Sequence, residues 1–329
     1  MGGPGEQLAD LGEWELLRRL AAFAPEGQFE DDAALLSETS GRQLVVNTDV
    51  LVEGLHFSDA TMEPADLGWR AAAANLSDLA AMGCRTVVGL TVGLVAPAST
   101  PWPWVEGVYR GLHQALQRYG GTLLGGDCSG GAQRLLAITA LGHLGLGPIH
   151  RSSGRPGDLL VSTGPHGLSR LGLALLLGEL APGAVTQALE ARAIEAHRRP
   201  LPRFDAVEAL ERSQPKGQPW RVAGTDSSDG LVAAVASIAR ASGCQALLDH
   251  GALPLDAELA GLPQGEAWCL AGGEDFELVL ALDPAWAEAL VAALPGASLL
   301  GALAAGQGVA WRQGNRPFPS ACAGFTHFR

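Results

Sequence analysis

Lysine is nearly missing from this chain of 329 residues: Lys216 is the single one, and it sits in the Pro/Gly-rich run 214–220. That scarcity excludes a P-loop enzyme, because the GxxxxGK[ST] turn that cradles phosphates needs a lysine at its end and no such turn occurs. The HRD and DFG signatures of protein kinases are also absent. Cysteine is sparse. The five thiols, Cys84, Cys128, Cys244, Cys269 and Cys322, are odd in number and widely spaced, so they read as reduced side chains rather than a disulfide framework. Positive charge is short as well, with 35 acidic against 22 basic residues and a net charge of −13. A nucleic-acid partner normally requires a basic footprint, so none is expected. Long apolar runs are missing: the first twenty residues interleave acids and arginines with leucines. Neither a signal peptide nor a membrane span is expected, and the cytoplasm is the expected location.

What the chain does contain is apolar residues, at 47%, enough for one large or two ordinary cores. It also contains acids placed at the ends of apolar segments. Asp49 follows the strand-like Leu44-Val45-Val46, and Asp31-Asp32 precedes another apolar run. Asn75 and Asp78 stand at i,i+3 in an alanine-rich helical stretch, so both can face one site. Gly125-Gly126-Asp127 follows Leu123-Leu124, and Asp226-Ser227-Ser228-Asp229-Gly230 precedes the helical run 231–242. Bringing these carboxylates together is prohibitively repulsive unless cations join them. Oxygen ligands without a cysteine or histidine cluster point to magnesium, and magnesium amid glycine turns points to a nucleotide phosphate. Adjacent Asp31 and Asp32 would point to opposite faces of extended chain, so at most one is expected at the Asp49 site.

Hydrophobic periodicity predicts a first helix at 8–23, a hairpin turned at 39–42, a helix at 67–82, a strand at 86–94 and a helix at 104–119. A short strand at 122–124 leads into the Gly125-Gly126 turn, and another strand spans 134–145. This alternation predicts an α/β N-terminal domain with a mixed sheet over 1–148. A Pro/Gly-rich junction at 149–158 opens a second domain, 149–329. There a strand is expected at 159–163, helices at 168–180, 182–199, 231–242 and 284–294, a small helix at 255–259, and a bend from 267–270 through Gly272-Gly273 into another strand.

The acidic motifs, taken in order, resemble those of the thiamine-monophosphate kinase family in the aminoimidazole ribonucleotide synthetase-like superfamily. The segment Asn47-Thr48-Asp49-Val50-Leu51-Val52-Glu53-Gly54-Leu55-His56-Phe57 is similar to the family's S-T-D-T-L-V-E-G-V-H-F, and Asn75-Leu76-Ser77-Asp78-Leu79-Ala80-Ala81-Met82-Gly83 matches its magnesium-binding helix. Gly125-Gly126-Asp127 and Gly272-Gly273-Glu274-Asp275-Phe276-Glu277-Leu278 also fit. The resemblance implies a two-domain α/β (α+β) fold whose C-terminal half is an α/β sandwich, a homodimer associating through the N-terminal sheets, and phosphoryl transfer from ATP to thiamine monophosphate with several magnesium ions. By the same resemblance Asp32, Asp49, Asp78, Asp127, Asp226 and Asp229 bind metal, with Asn47 and Thr48 assisting, and Asp49, Asp78, Asp127 and Asp229 carry the chemistry. Tyr109, Gly126, Arg151 and Ser228 would contact ATP, while His56, Glu274 and Phe325 would hold thiamine monophosphate. Read alone, those last three are equally a packing histidine, a turn acid and a core phenylalanine.

The chain departs from the family pattern at Glu30, where glycine is usual, at Asn47, where serine is usual, and at Cys128-Ser129, where Thr-Thr is common. Other superfamily members fit less well. A selenophosphate synthetase calls for a reactive N-terminal cysteine, and the first here is Cys84; the hydrogenase-maturation relative ends in a cysteine-bearing tail, and this chain ends Phe325-Thr326-His327-Phe328-Arg329. A nucleotide-binding regulator without turnover could lose acids, yet all six are present.

Overall fold

The computed structural model describes residues 31–37, 43–181, 183–314, 318 and 319, together with Glu15 and Arg18. Apart from that last pair, the expected first helix lies outside the described residues, as do the 39–42 turn and the tail with Phe325.

The first half contains β1 (Ala34–Ser37), β2 (Gln43–Val52), α1 (Pro64–Ala81), β3 (Cys84–Ala96), α2 (Trp102–Tyr119), β4 (Thr122–Gly130) and β5 (Leu135–Leu144). Its sheet has the order β1-β2-β5-β3-β4; β3 and β4 run parallel and the other pairs antiparallel, so the sheet is mixed. Alternation along β2 sends Val45, Asn47 and Leu51 into the core under α1, while Thr48 and Val50 emerge on the opposite face. Two helices cover the first face. They approach so closely that a Cβ on Gly68 would lie 1.9 Å from the Val108 carbonyl oxygen, and one on Gly111 equally close to that of Ala65.

β4 corrects an expectation. The strand does not turn at Gly125-Gly126 but continues to Gly130 along the sheet edge, exposed over its whole length. Glycine at 126 is explained by its neighbour strand, since a Cβ there would meet the Val92 carbonyl oxygen at 1.9 Å.

The second half contains β6 (Leu159–Ser162), α3 (Leu168–Leu176), α4 (Gln187–Arg198), α5 (Phe204–Arg212), β7 (Ala223–Asp226), α6 (Leu231–Ala241), β8 (Cys244–Leu248), α7 (Gly265–Ala271), β9 (Leu278–Leu282), α8 (Pro284–Ala293), β10 (Ser298–Ala305) and β11 (Gly308–Trp311). The six strands are ordered β11-β8-β10-β6-β9-β7. Val279 and Ala281 of β9 pack with α6, whereas Leu278, Leu280 and Leu282 pack with α5 and α8 on the other face. Burial on both sides explains why β9 is an unbroken apolar run rather than an alternating one. Helix α5 was not expected, residues 265–271 form a helix where 267–270 was expected to belong to a bend, and the segment near 255–259 supplies only a 3₁₀ turn at Leu259–Gly261.

α1 joins the two halves. Trp69 Nε1 donates to the Pro200 carbonyl at 2.9 Å, Asp66 pairs with Arg199 at 2.6 Å, and Ser77 Oγ donates to Asp226 at 2.7 Å. Between Leu67 and Ala81 every residue of this helix is buried except Ala74 and Asp78.

Candidate active site

Those two half-open positions face a cavity of about 740 Å³ bounded by β2, α1, the 226–229 loop and the 272–276 turn. Arg70, Ala74 and Asp78 all line it, at i, i+4 and i+8, so one stripe of α1 forms a wall. At 1.5 Å per residue, Arg70 and Asp78 stand about 12 Å apart along that wall.

The Asp78 end gathers acids from four elements. Carboxylate oxygens of Asp32, Asp78 and Asp226 lie within 4.8 Å of one another, and Asp49 and Asp229 line the same cavity. Asp226 accepts from Ser77 Oγ and, at 2.9 Å, from Ser228 Oγ. Asp32 accepts from Thr225 Oγ1 at 2.8 Å and pairs with Arg151. Asn47 Nδ2 donates to Asp78 at 2.6 Å, and Asn75 Oδ1 accepts from the Asp49 backbone N–H at 3.2 Å. Asp31 diverges from Asp32: it meets His150 Nδ1 at 2.5 Å and the Arg151 N–H at 2.8 Å, at the junction between the halves.

Such crowding has an electrostatic cost. Burial, then the neighbouring Asp226 and Asp229, push the Asp49 carboxyl up to about 6. Burial raises Asp32 to about 6 as well, against the pull of Arg151 and with the push of Asp226. Asp78 is displaced well upward by burial and by Asp49, Asp226 and Asp32. The donor set fits a hard divalent cation, because its oxygens converge and the buried Asn47 Oδ1 beside them has no hydrogen-bond partner among the described residues.

The opposite end carries different chemistry. Glu274 pairs with Arg70, and Phe276 lies beneath the same guanidinium, its ring centre 5.9 Å away. Both residues have positive φ, +60° for Glu274 and +53° for Phe276, an uncommon conformation for non-glycine residues that is often found at ligand sites. The turn is clamped by the Glu274 N–H to the Ser228 carbonyl at 2.7 Å and by Asp275, which accepts from the Gly167 and Ser169 N–H groups at the start of α3. His56 also lines the cavity, its Nδ1 accepting from the Val52 N–H at 3.0 Å.

Thus Asp32, Asn47, Asp49, Asp78, Asp226, Ser228 and Asp229 converge, with Arg151 behind Asp32 and with His56 and Glu274 on the same cavity. Four expected residues do not join them. The Thr48 side chain is on the other face of β2, bonded to Thr139 Oγ1 at 2.8 Å, because neighbouring strand residues alternate. Asp49, Ile138, Val92 and Gly126 form one row across β2, β5, β3 and β4. Three strand spacings put Gly126 and its neighbour Asp127 about 14 Å from Asp49 within one chain. Tyr109 is with them, its hydroxyl beside Cys128. Phe325 lies outside the described residues.

Arg70, Ser77, Arg170 and Phe276 contribute to the site without having been anticipated. For Arg70 a signal existed, since it precedes Asp78 by eight residues in a stretch already read as helical.

Residues 30–144 match the family model described as AIR synthase related protein, N-terminal domain, and residues 155–311 match its C-terminal counterpart. This defines the class as a two-domain AIR synthase-related protein with an acidic cavity between its halves. A thiamine-monophosphate kinase of Prochlorococcus marinus is 48% identical over 326 residues, 98% of each chain, and one of Synechococcus elongatus is 51% identical over 86% of each. The solved structure described as AaThiL complexed with AMPPCP and TMP superposes with a TM-score of 0.85 at 28% identity, covering 99% of this chain and 100% of that one. Escherichia coli HypE, at 20% identity and a TM-score of 0.68, shares the fold. The chain belongs to the thiamine-monophosphate kinase family. Among the described residues, no helix is long and apolar enough to cross a membrane.

Proposed function

We propose that the protein transfers the γ-phosphoryl group of ATP to the phosphate of thiamine monophosphate, giving thiamine diphosphate and ADP. The observation that carries this reading is a single cavity with a buried carboxylate cluster at one end and the Arg70–Glu274 pair with Phe276 at the other. The acceptor phosphate has a second pKa of about 6, so it is already ionised near neutral pH and needs no general base. His56 accordingly has a binding role rather than a proton-transfer role. Magnesium ions, held by Asp32, Asp49, Asp78, Asp226 and Asp229 with Asn47 beside them, would neutralise the charge of the two phosphate chains. The chain itself fixes the cluster through Ser77, Thr225 and Asn47, and Glu274 faces the thiazolium end of the acceptor, where a carboxylate complements the cation.

Arg151 and Ser228 are assigned to ATP. Arg151→Ala should raise the KM for ATP by about tenfold or more, the effect of one charge-assisted hydrogen bond, and leave that for thiamine monophosphate within about twofold. Steady-state kinetics with each substrate varied in turn checks this.

Tyr109, Gly126 and Asp127 belong to the same reaction but to the site of a second copy. The reading is supported by Asp127 standing on an exposed edge strand, and by Val50, Leu123 and Leu124 on the N-terminal sheet being 45–48% exposed. A homodimer formed through the N-terminal domains, residues 1–148, would bury that surface and bring one copy's edge strand to its partner's cavity. The direct test of function is an assay of the purified protein with ATP and magnesium, offering thiamine, thiamine monophosphate and an aminoimidazole-ribonucleotide precursor in parallel. Thiamine diphosphate is the expected product; turnover of another acceptor alone would assign the chain to a different activity of the superfamily.

A further inference from the structure

Arg70 is buried to 2% exposure, yet one end of its side chain reaches the cavity wall. One nitrogen donates to the His197 carbonyl and another pairs with Glu274, and the guanidinium carbon lies over the face of the Phe276 ring, 5.9 Å from its centre. An arginine is seldom buried without partners to match its charge. Here the matching carboxylate comes from a turn held in two positive-φ conformations. His197, 3.9 Å from Glu274, supplies no competing positive charge, because burial and the nearby Arg70 depress it to about 3. Burial opposes ionisation of Glu274 too, but Arg70 outweighs it and holds the carboxyl below its usual range. His56 adds a smaller contribution of the same sign.

From this geometry we infer that Arg70 is a positioning residue for the acceptor end of the cavity: it fixes the Glu274 carboxylate and the Phe276 ring against α1, and so sets where the cationic part of thiamine monophosphate lies relative to Asp78. The arginine acts through Glu274 and does not itself touch the acceptor. α1 then serves as a ruler, with the phosphate-transfer end and the recognition end both referred to one rigid helix, about 12 Å apart along its axis.

The inference rests on Glu274 contacting the acceptor, and a double-mutant cycle separates the two ideas. Arg70→Met, Glu274→Gln and the double variant are compared with wild type in kcat and in KM for each substrate. Arg70→Met and Glu274→Gln should each raise the KM for thiamine monophosphate about tenfold and leave that for ATP within twofold. The double variant should be no worse than Glu274→Gln, and Arg70→Lys should recover part of the loss. A normal KM in Arg70→Met beside a raised one in Glu274→Gln would overturn the positioning role, as would additive losses in the double variant. A normal KM in Glu274→Gln would instead remove Glu274 from the acceptor site, and the role of Arg70 with it. If Arg70→Met does not fold, Arg70→Lys carries the test: a rise of about two- to fivefold confined to the KM for thiamine monophosphate supports the inference, and equal changes for both substrates overturn it.

Discussion

Asp78→Asn is expected to lower turnover by roughly a thousandfold and, in the same protein freed of metal, to raise the melting temperature. The first effect follows from removing a charge at the centre of the carboxylate cluster while keeping the side chain's size. The second follows from the cost of that cluster. A carboxyl moved from 3.8 to about 6, as Asp49 is, costs the metal-free fold about 3 kcal/mol at pH 7. Asp78 is displaced in the same direction by burial and by Asp49, Asp226 and Asp32. For an acid whose folded value is raised, the stabilising contribution is complete below the unfolded value and is lost as pH rises through the folded one. The metal-free wild type should therefore lose stability relative to Asp78→Asn between about pH 4 and pH 7, and magnesium should restore it at pH 7.5 but do little at pH 4.5. The variant's advantage without metal should appear as a rise of a few degrees in melting temperature. Thermal melts of both proteins with EDTA or magnesium across that range provide the check. A variant that melts well below wild type without metal would assign Asp78 a packing role instead.

The same physics explains which parts of the site were legible in the sequence. Asp78 in the last turn of α1, Asp226 at the end of β7 and Asp49, which lies inside β2 rather than at its end, could be identified because a carboxylate beside an apolar run is visible in a one-dimensional pattern, and their joint presence demands a counter-charge. The i,i+3 spacing of Asn75 and Asp78 put both on one side of α1, and the structure turns that side toward β2, where they meet Asn47 and the Asp49 backbone. The pairings of α1 with the second half were not legible. Arg70–Glu274 spans 204 positions and Ser77–Asp226 spans 149, and nothing local announces a partner so far along the chain. Turn chemistry failed at Gly125-Gly126 for a related reason. Glycine at 126 answers the approach of β3, a neighbour in space, and local propensity read it as punctuation. Thr48 shows the limit of a motif: it sits beside Asp49 in sequence, but the strand's alternation turns its side chain to the other face.

Asp127 yields the second large effect, and its test does not require a structure of the dimer. If each cavity is completed by the partner's edge strand, Asp127→Asn should be about as inactive alone as Asp78→Asn, although Asp127 is about 14 Å from Asp49 within its own chain. Mixing the two inactive proteins under conditions that exchange subunits should then restore activity. In a mixed dimer one cavity carries both substitutions and the other carries neither, because its Asp78 comes from one chain and its Asp127 from the other. Random exchange makes about half the dimers mixed, each with one of two cavities intact, so about a quarter of wild-type activity should return. Co-expression of differently tagged chains, followed by sequential affinity capture, isolates the mixed dimer, for which about half of wild-type activity is expected. No recovery in that species would place both acids in one chain's site, and near-normal turnover by Asp127→Asn alone would remove Asp127 from the reaction. Recovery requires that the exposed strand β4 of one chain reach the acidic cavity of the other, which turns a geometric gap within the monomer into a measurable property of the pair.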